Sequence, residues 1–141
     1  MPTIEEISRK QSEKYIKYFQ SQYPIDYVHI KRFYDTMLAN GLSWSRITLY
    51  LRNLKVIKKV NPKPFINWTK DDVNQVAIWT NNQSYSEWTK FLILLTLRKF
   101  FQILNGYNWT DKKYPQIVDW LPVRINKTKL KRLSANDILS D

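Results

Sequence analysis

Cysteine is absent from this 141-residue chain, and histidine occurs once, at His29. Without thiols the chain has no disulfide, no cysteine-based zinc site and no cysteine nucleophile. A single imidazole cannot build a metal triad or a histidine pair, and His29 is more typical of a half-buried helix residue than of a catalyst. The sequence therefore predicts no catalytic residue, no metal site and no cofactor.

Glycine and long apolar runs are also scarce. The two glycines, Gly41 and Gly106, both follow helical patterns, where glycine ends a helix; neither belongs to a phosphate-binding loop. The most apolar run, "FLILLTL", is stopped by Arg98 and Lys99, far short of the roughly 20 residues that span a bilayer. The N-terminus lacks the apolar core of a signal peptide. We expect a cytoplasmic protein with no membrane partner and no small-molecule ligand.

Acidic residues are few relative to basic ones. The chain has 23 lysines and arginines against 12 acids, a formal net charge of +11. Such an excess predicts a polyanionic partner, and nucleic acid is favoured over an anionic membrane surface.

The pattern of apolar residues and helix caps predicts an all-α fold. Helix starts are predicted at Ser43 and at two capping-box pairs, Thr3 with Glu6 and Thr69 with Asp72. Ser84 or Ser86 is expected to cap the longest helix. The predicted helices cover about residues 3–23, 26–40, 44–60, 70–82, 84–105 and 114–121. The expected organisation is an extra N-terminal helix (1–25), a helical bundle (26–121), a basic linker (122–133) and the first turn of another domain (134–141). Because the chain stops inside that last segment, we expect it to be part of a longer protein; a frayed natural C-terminus is the alternative.

The third predicted helix has one polar and one apolar face. Ser45, Thr48, Arg52, Lys55 and Lys59 share a narrow arc, and the apolar residues lie opposite. Hydroxyl groups and cations are the donors that phosphate oxygens and base edges need, and a helix fits a major groove. A solvated amphipathic face is the alternative, but such faces usually mix charges and this helix has no acid.

The fifth predicted helix is apolar in nearly every direction, which predicts a central position. Only its start is expected to reach solvent, and free backbone N–H groups there favour a phosphate. Trp88 is expected in the core. The residues expected at this exposed tip are Ser84, Tyr85, Ser86, Thr89 and Lys90.

Three stretches in order carry a family resemblance: "ANGLSWSRITLYLRNLKVI", "TKDDVNQVAIWTNNQSYSEWTK", and "LRKFFQILNGYNW" followed by "YPQIVDWLPVRINKTKLKRLSANDIL". Together they resemble the N-terminal core-binding domain of tyrosine recombinases of the phage-integrase family, especially archaeal integrases, over about residues 26–141. The closing "LSANDIL" is similar to the family's Leu-Thr-x-x-Glu-(Val/Ile) start of the catalytic domain.

The resemblance implies a SAM-like four-helix orthogonal bundle that forms half of a clamp around double-stranded DNA, within a recombinase tetramer. The helices at about 44–60 and 85–105 would approach the major groove, and the linker would cross the duplex backbone. The family's catalytic Arg, Lys, His-x-x-Arg and Tyr belong to the catalytic domain, so none is carried over to this chain. The first helix lies outside the resemblance. Three roles stay open for it: it contacts DNA, it contacts a neighbouring protomer, or it packs only against the bundle.

DNA integration or recombination is therefore the expected context, with double-stranded DNA as partner and no enzymatic activity in this chain itself. The alternatives are a basic protein-interaction module and a standalone DNA-binding regulator. The predicted DNA-binding residues are Ser43, Ser45, Arg46, Thr48, Arg52, Lys55, Lys59, Ser84, Tyr85, Thr89, Lys90, Arg124, Lys127, Lys129, Lys131 and Arg132.

Overall fold

The structure, a computed structural model, describes residues 1–124, and the backbone there forms six α-helices, one short 3-10 turn and no strand. The predicted all-α class is confirmed. Most of the predicted linker, with Lys127, Lys129, Lys131 and Arg132, and the whole segment 134–141 lie outside the described residues. The elements are α1 (Ile4–Gln22), α2 (Pro24–Ala39), α3 (Trp44–Val60), the 3-10 turn (Phe65–Asn67), α4 (Lys70–Asn81), α5 (Glu87–Leu104) and α6 (Gln116–Asp119).

The helix starts follow the predicted caps. The hydroxyl of Thr3 accepts a hydrogen bond from the Glu6 N–H at 3.1 Å, and that of Ser43 accepts from the Arg46 N–H at 3.2 Å. Before α4, Thr69 and Asp72 form a reciprocal capping box. These bonds satisfy N–H groups that have no partner inside their own helix.

Two helix boundaries needed the structure. Ser86 rather than Ser84 caps α5, since its hydroxyl accepts from the Thr89 N–H at 3.2 Å. Helix α2 begins at Pro24, earlier than predicted, because proline at the first helical position needs no N–H partner and has a suitable φ. The prediction that both glycines end helices is confirmed: they follow α2 and α5, and both are left-handed, with a φ of 75° at Gly41 and 85° at Gly106.

Helix α5 runs through the centre of the fold, as predicted, and packs against α2, α3, α4 and α6. Its Phe100 meets Phe33 of α2 at 5.5 Å between ring centroids and Phe65 of the 3-10 turn at 4.4 Å. Such tilted and edge-on pairs stabilise a core beyond the effect of buried area alone. Within residues 1–124, no helix combines the length and the hydropathy needed to cross a membrane.

Helix α1 lies along α3 and also contacts α2. Its Phe19 is fully buried in the common core, while Ser8 and Ser12 are the other buried residues of the helix. The buried residues of the N-terminal half of α1 are therefore small and polar, whereas its C-terminal half is held in the core by an aromatic side chain.

Candidate nucleic-acid interface

Helix α1 covers part of the polar arc that the sequence predicts on α3. The Ser45 hydroxyl donates to Glu5 Oε1 at 2.8 Å, and the Thr48 hydroxyl donates to the Ser8 carbonyl at 2.8 Å. The expectation of a free row of hydroxyl groups and cations is therefore corrected for Ser45 and Thr48. A helical wheel places residues on one face of a helix, but it does not show which other helix packs there.

The contact of Glu5 also caps α3. Its Oε2 accepts the backbone N–H of Trp44, the first residue of α3, at 2.9 Å. The hydrogen bond from Ser45, followed by that from Trp44, lowers the pKa of the Glu5 carboxyl. A carboxylate at a helix N-terminus is favoured by the helix dipole, so Glu5 occupies a position that would also suit a phosphate.

The cations of the predicted arc have separate surroundings. Arg52 and Lys59 are exposed, and within residues 1–124 neither has an ion-pair partner. Lys55 is half-buried, with its ammonium 4.4 Å from the centroid of the Tyr18 ring, a cation–π contact with α1. The arc therefore keeps its positive charge, although the Ser45 and Thr48 hydroxyls are hydrogen-bonded to α1.

An open cleft of about 480 Å³ lies between α1 and α3, beside this arc. The contribution of α1 to this cleft was not predicted, because the pattern of α1 does not show which helix it packs against. Tyr15 and Tyr18, three residues apart on a lysine-rich helix, were the only hint that this face of α1 could bind an anion. The lining residues are Gln11, Lys14, Tyr15, Tyr18, Thr48, Arg52 and Lys55.

The predicted phosphate-facing tip of α5 differs from the structure at Lys90. The Lys90 side chain is 14% exposed, and its ammonium donates to the backbone carbonyl of Asn81 at 3.1 Å and lies 3.9 Å from the Glu87 carboxylate. Asn81 ends α4, where unpaired carbonyls and the helix dipole attract a cation. The prediction that Lys90 is an exposed side chain is therefore wrong, since Lys90 ties the start of α5 to the end of α4.

Trp88 is the second difference, because the prediction that it lies in the core is wrong. Its side chain is 53% exposed and packs beside Phe91 at 5.5 Å between ring centroids. Tyr85 and Ile78 are also exposed, so three large apolar side chains from the end of α4 to the start of α5 reach solvent. The start of α5 was expected to reach solvent, but residue type alone placed Trp88, in its first turn, with the core aromatics rather than with that exposed start.

Within residues 1–124, the remaining predicted DNA-binding residues lie outside the cleft between α1 and α3. Ser43 is an exposed cap, Ser84 is exposed before α5, and Thr89 is half-buried beside its cap. Arg46 is exposed and its guanidinium lies 3.5 Å from the Tyr50 hydroxyl. Arg124 is exposed at the end of the described chain.

Two further cations of α5 have structural partners. The Lys99 ammonium donates to the Trp109 carbonyl at 2.7 Å, and the Arg98 guanidinium lies 4.3 Å from the centroid of the Tyr114 ring. Burial, followed by the nearby charges of Arg98 and Arg46, lowers the pKa of Lys99. These side chains hold the segment after α5 against the bundle.

His29 is half-buried on α2, as predicted, beside a cleft of about 270 Å³ whose lining includes Phe65 and Trp68. Among residues 1–124, no three His, Asp or Glu side chains converge in a way that would hold a metal ion.

Comparisons of the chain with protein-family models, with curated proteins and with solved structures found no match.

Proposed function

We propose that this chain binds double-stranded DNA through contacts with backbone phosphates. The observation that carries the proposal is the pair of exposed cations Arg52 and Lys59 on α3, a 17-residue helix that contains no acid. They lie seven residues apart, so they are about 10 Å apart along the same side of the helix. The formal net charge of +11 adds a long-range attraction for a polyanion.

The resemblance in sequence supports a more specific role. The order of the α3, α4 and α5 segments is similar to that of core-binding domains of tyrosine recombinases. On this proposal the chain is a SAM-like bundle, the non-catalytic part of an integrase, and its partners are duplex DNA and other recombinase protomers. A regulator that binds DNA on its own would use the same surface.

The salt dependence of duplex binding tests the proposal. If about 6 phosphates are contacted, the logarithm of the association constant falls with the logarithm of salt concentration with a slope of about −5. Fluorescence anisotropy with a labelled duplex, over a salt series, measures this slope. Binding that does not change between low and physiological salt would refute phosphate-driven recognition.

A pair of matched charge reversals locates the interface. Arg52→Glu with Lys59→Glu should strongly weaken duplex binding, because both acids repel the phosphates. Lys112→Glu with Lys113→Glu makes the same change in net charge at two exposed lysines in the segment after α5. Equal losses of affinity in the two double variants would show that only net charge matters and that α3 is not the contact.

A protein-interaction module is the second candidate function, and the exposed Trp88, Tyr85 and Ile78 favour it. Large apolar side chains that stay exposed are candidates for contacts with other proteins. Sedimentation velocity over a range of concentrations tests for a second copy as the partner. Self-association that Trp88→Ser abolishes, together with duplex binding that ignores the α3 charge reversals, would favour this candidate over DNA binding.

A further inference from the structure

The cleft between α1 and α3 combines groups from two helices that are distant in sequence. Helix α1 supplies Gln11, Lys14, Tyr15 and Tyr18, and α3 supplies Thr48, Arg52 and Lys55. At about 480 Å³ the cleft is large enough for a phosphate group and part of the molecule that carries it.

The side chains that line the cleft match an anion with several oxygens. The lining residues include three cations and no carboxylate. Amide, phenol, ammonium and guanidinium groups are all hydrogen-bond donors; Thr48, whose hydroxyl already donates to the Ser8 carbonyl, is the exception. A phosphate accepts such bonds at several oxygens, and its charge would relieve the mutual repulsion of the cations.

The cations differ in how they are held. Lys55 is positioned by the two tyrosines, its ammonium lying 4.4 Å from the Tyr18 centroid and 5.9 Å from the Tyr15 centroid. Lys14 and Arg52 are exposed, and neither has an ion pair within residues 1–124. One fixed cation and two adjustable ones suit a ligand that enters from solvent.

From this geometry we infer that the cleft is a phosphate-binding site built jointly by α1 and α3. The source of the phosphate rests on the proposed function: when the chain binds DNA, the cleft holds one backbone phosphate of the duplex. A free phosphorylated small molecule offers the same chemistry and is the other source. Helix α1, which lies outside the sequence resemblance, is then a DNA-contacting element that presents Lys14.

The first experiment compares Lys14→Ala with Lys17→Ala in the full chain, by anisotropy with a duplex over a salt series. Both lysines are exposed on α1, but Lys17 does not line the cleft. Lys14→Ala should lower the affinity roughly fivefold to tenfold at 0.1 M salt and reduce the salt slope by about 1, the effect of one lost phosphate contact. Lys17→Ala should leave the slope unchanged.

Equal slopes for wild type and Lys14→Ala, with duplex binding otherwise intact, would overturn the cleft assignment and leave the proposed function standing. The melting temperatures of both variants should match that of the wild type, because both side chains are exposed. If Lys14→Ala folds poorly, Lys14→Gln takes its place, because it removes the charge and keeps much of the side chain. Lys14→Arg keeps the charge and should keep the slope.

The second experiment titrates inorganic pyrophosphate into the wild-type chain and follows backbone amides by NMR. Shifts centred on the Lys14 and Arg52 amides, reduced in Lys14→Ala, support the cleft whether or not duplex binds. If duplex does not bind but these shifts occur, the proposed function fails and the phosphate source is a small molecule. No localised shifts, together with an unchanged duplex slope in Lys14→Ala, refute the site.

Discussion

The ammonium of Lys58 lies 2.6 Å from Oδ2 of Asp26, and both side chains are enclosed in the core, at 0% and 3% exposed. Lys58 also donates to the Lys63 carbonyl at 2.6 Å, and Asp26 Oδ1 accepts the Phe65 N–H at 2.8 Å. This one pair therefore joins α2, α3 and the 3-10 turn. Burial lowers the pKa of Lys58, and Asp26 acts in the opposite direction.

Breaking this pair on one side should be costly. Asp26→Ala leaves a buried ammonium without its counter-ion and should lower the free energy of unfolding by about 3 to 5 kcal/mol. Urea unfolding followed by tryptophan fluorescence measures the change. The double variant Asp26→Leu with Lys58→Met removes both charges and should be more stable than Asp26→Ala. If the double variant is no more stable, the uncompensated charge is not the cause of the loss.

Lys90→Ala should destabilise the fold. The substitution removes the hydrogen bond from the Lys90 ammonium to the Asn81 carbonyl, which links α5 to α4. We expect a loss of about 1 kcal/mol, which lowers the melting temperature by about 3 °C in a chain of this size. Differential scanning calorimetry measures this, with Lys10→Ala, an exposed lysine of α1, as the control. A melting temperature equal to that of the control would show that the contact is weak in solution.

Docking of the N-terminal half of α1 should depend on pH through Glu5. Its folded-state pKa lies below the ordinary value of 4.5, because Ser45 and the Trp44 N–H donate to the carboxylate. A lowered carboxyl pKa stabilises the folded state fully above the unfolded-state value, and this contribution is lost as pH falls through the folded-state pKa. The Trp44 amide shift should therefore titrate below pH 4.5. In Glu5→Gln that titration should disappear; if it remains, another group is responsible.

A buried hydrogen bond between α3 and α5 should also be sensitive to substitution. The Asn53 side-chain amide donates to the Thr96 hydroxyl at 3.1 Å, and both residues are buried. Thr96→Val keeps the shape but leaves the amide without its acceptor, at an expected cost of about 1 to 3 kcal/mol. Chemical denaturation measures this against Thr110→Val, at an exposed threonine. Similar free energies of unfolding for the two variants would show that this hydrogen bond does not stabilise the fold.

Local features of the fold were predictable because they depend on neighbours in sequence. Thr3, Ser43, Thr69 and Asp72 act within one turn of their own helix, so residue type and spacing determine the caps. The apolar composition of α5 likewise required a central position. Lys58 was not predictable: it lies on α3 among apolar residues, and its partner Asp26 lies 32 positions earlier in the chain.

The candidate site was only partly predictable for the same reason. The sequence by itself determined that the chain is helical and strongly basic, and that α3 has one acid-free polar face. Only the tertiary structure decided that α1 engages Ser45 and Thr48, that Lys90 turns back to Asn81, and that Trp88 faces solvent. Periodicity specifies the faces of a helix, whereas the choice of which helix covers each face depends on packing between segments that are distant along the chain.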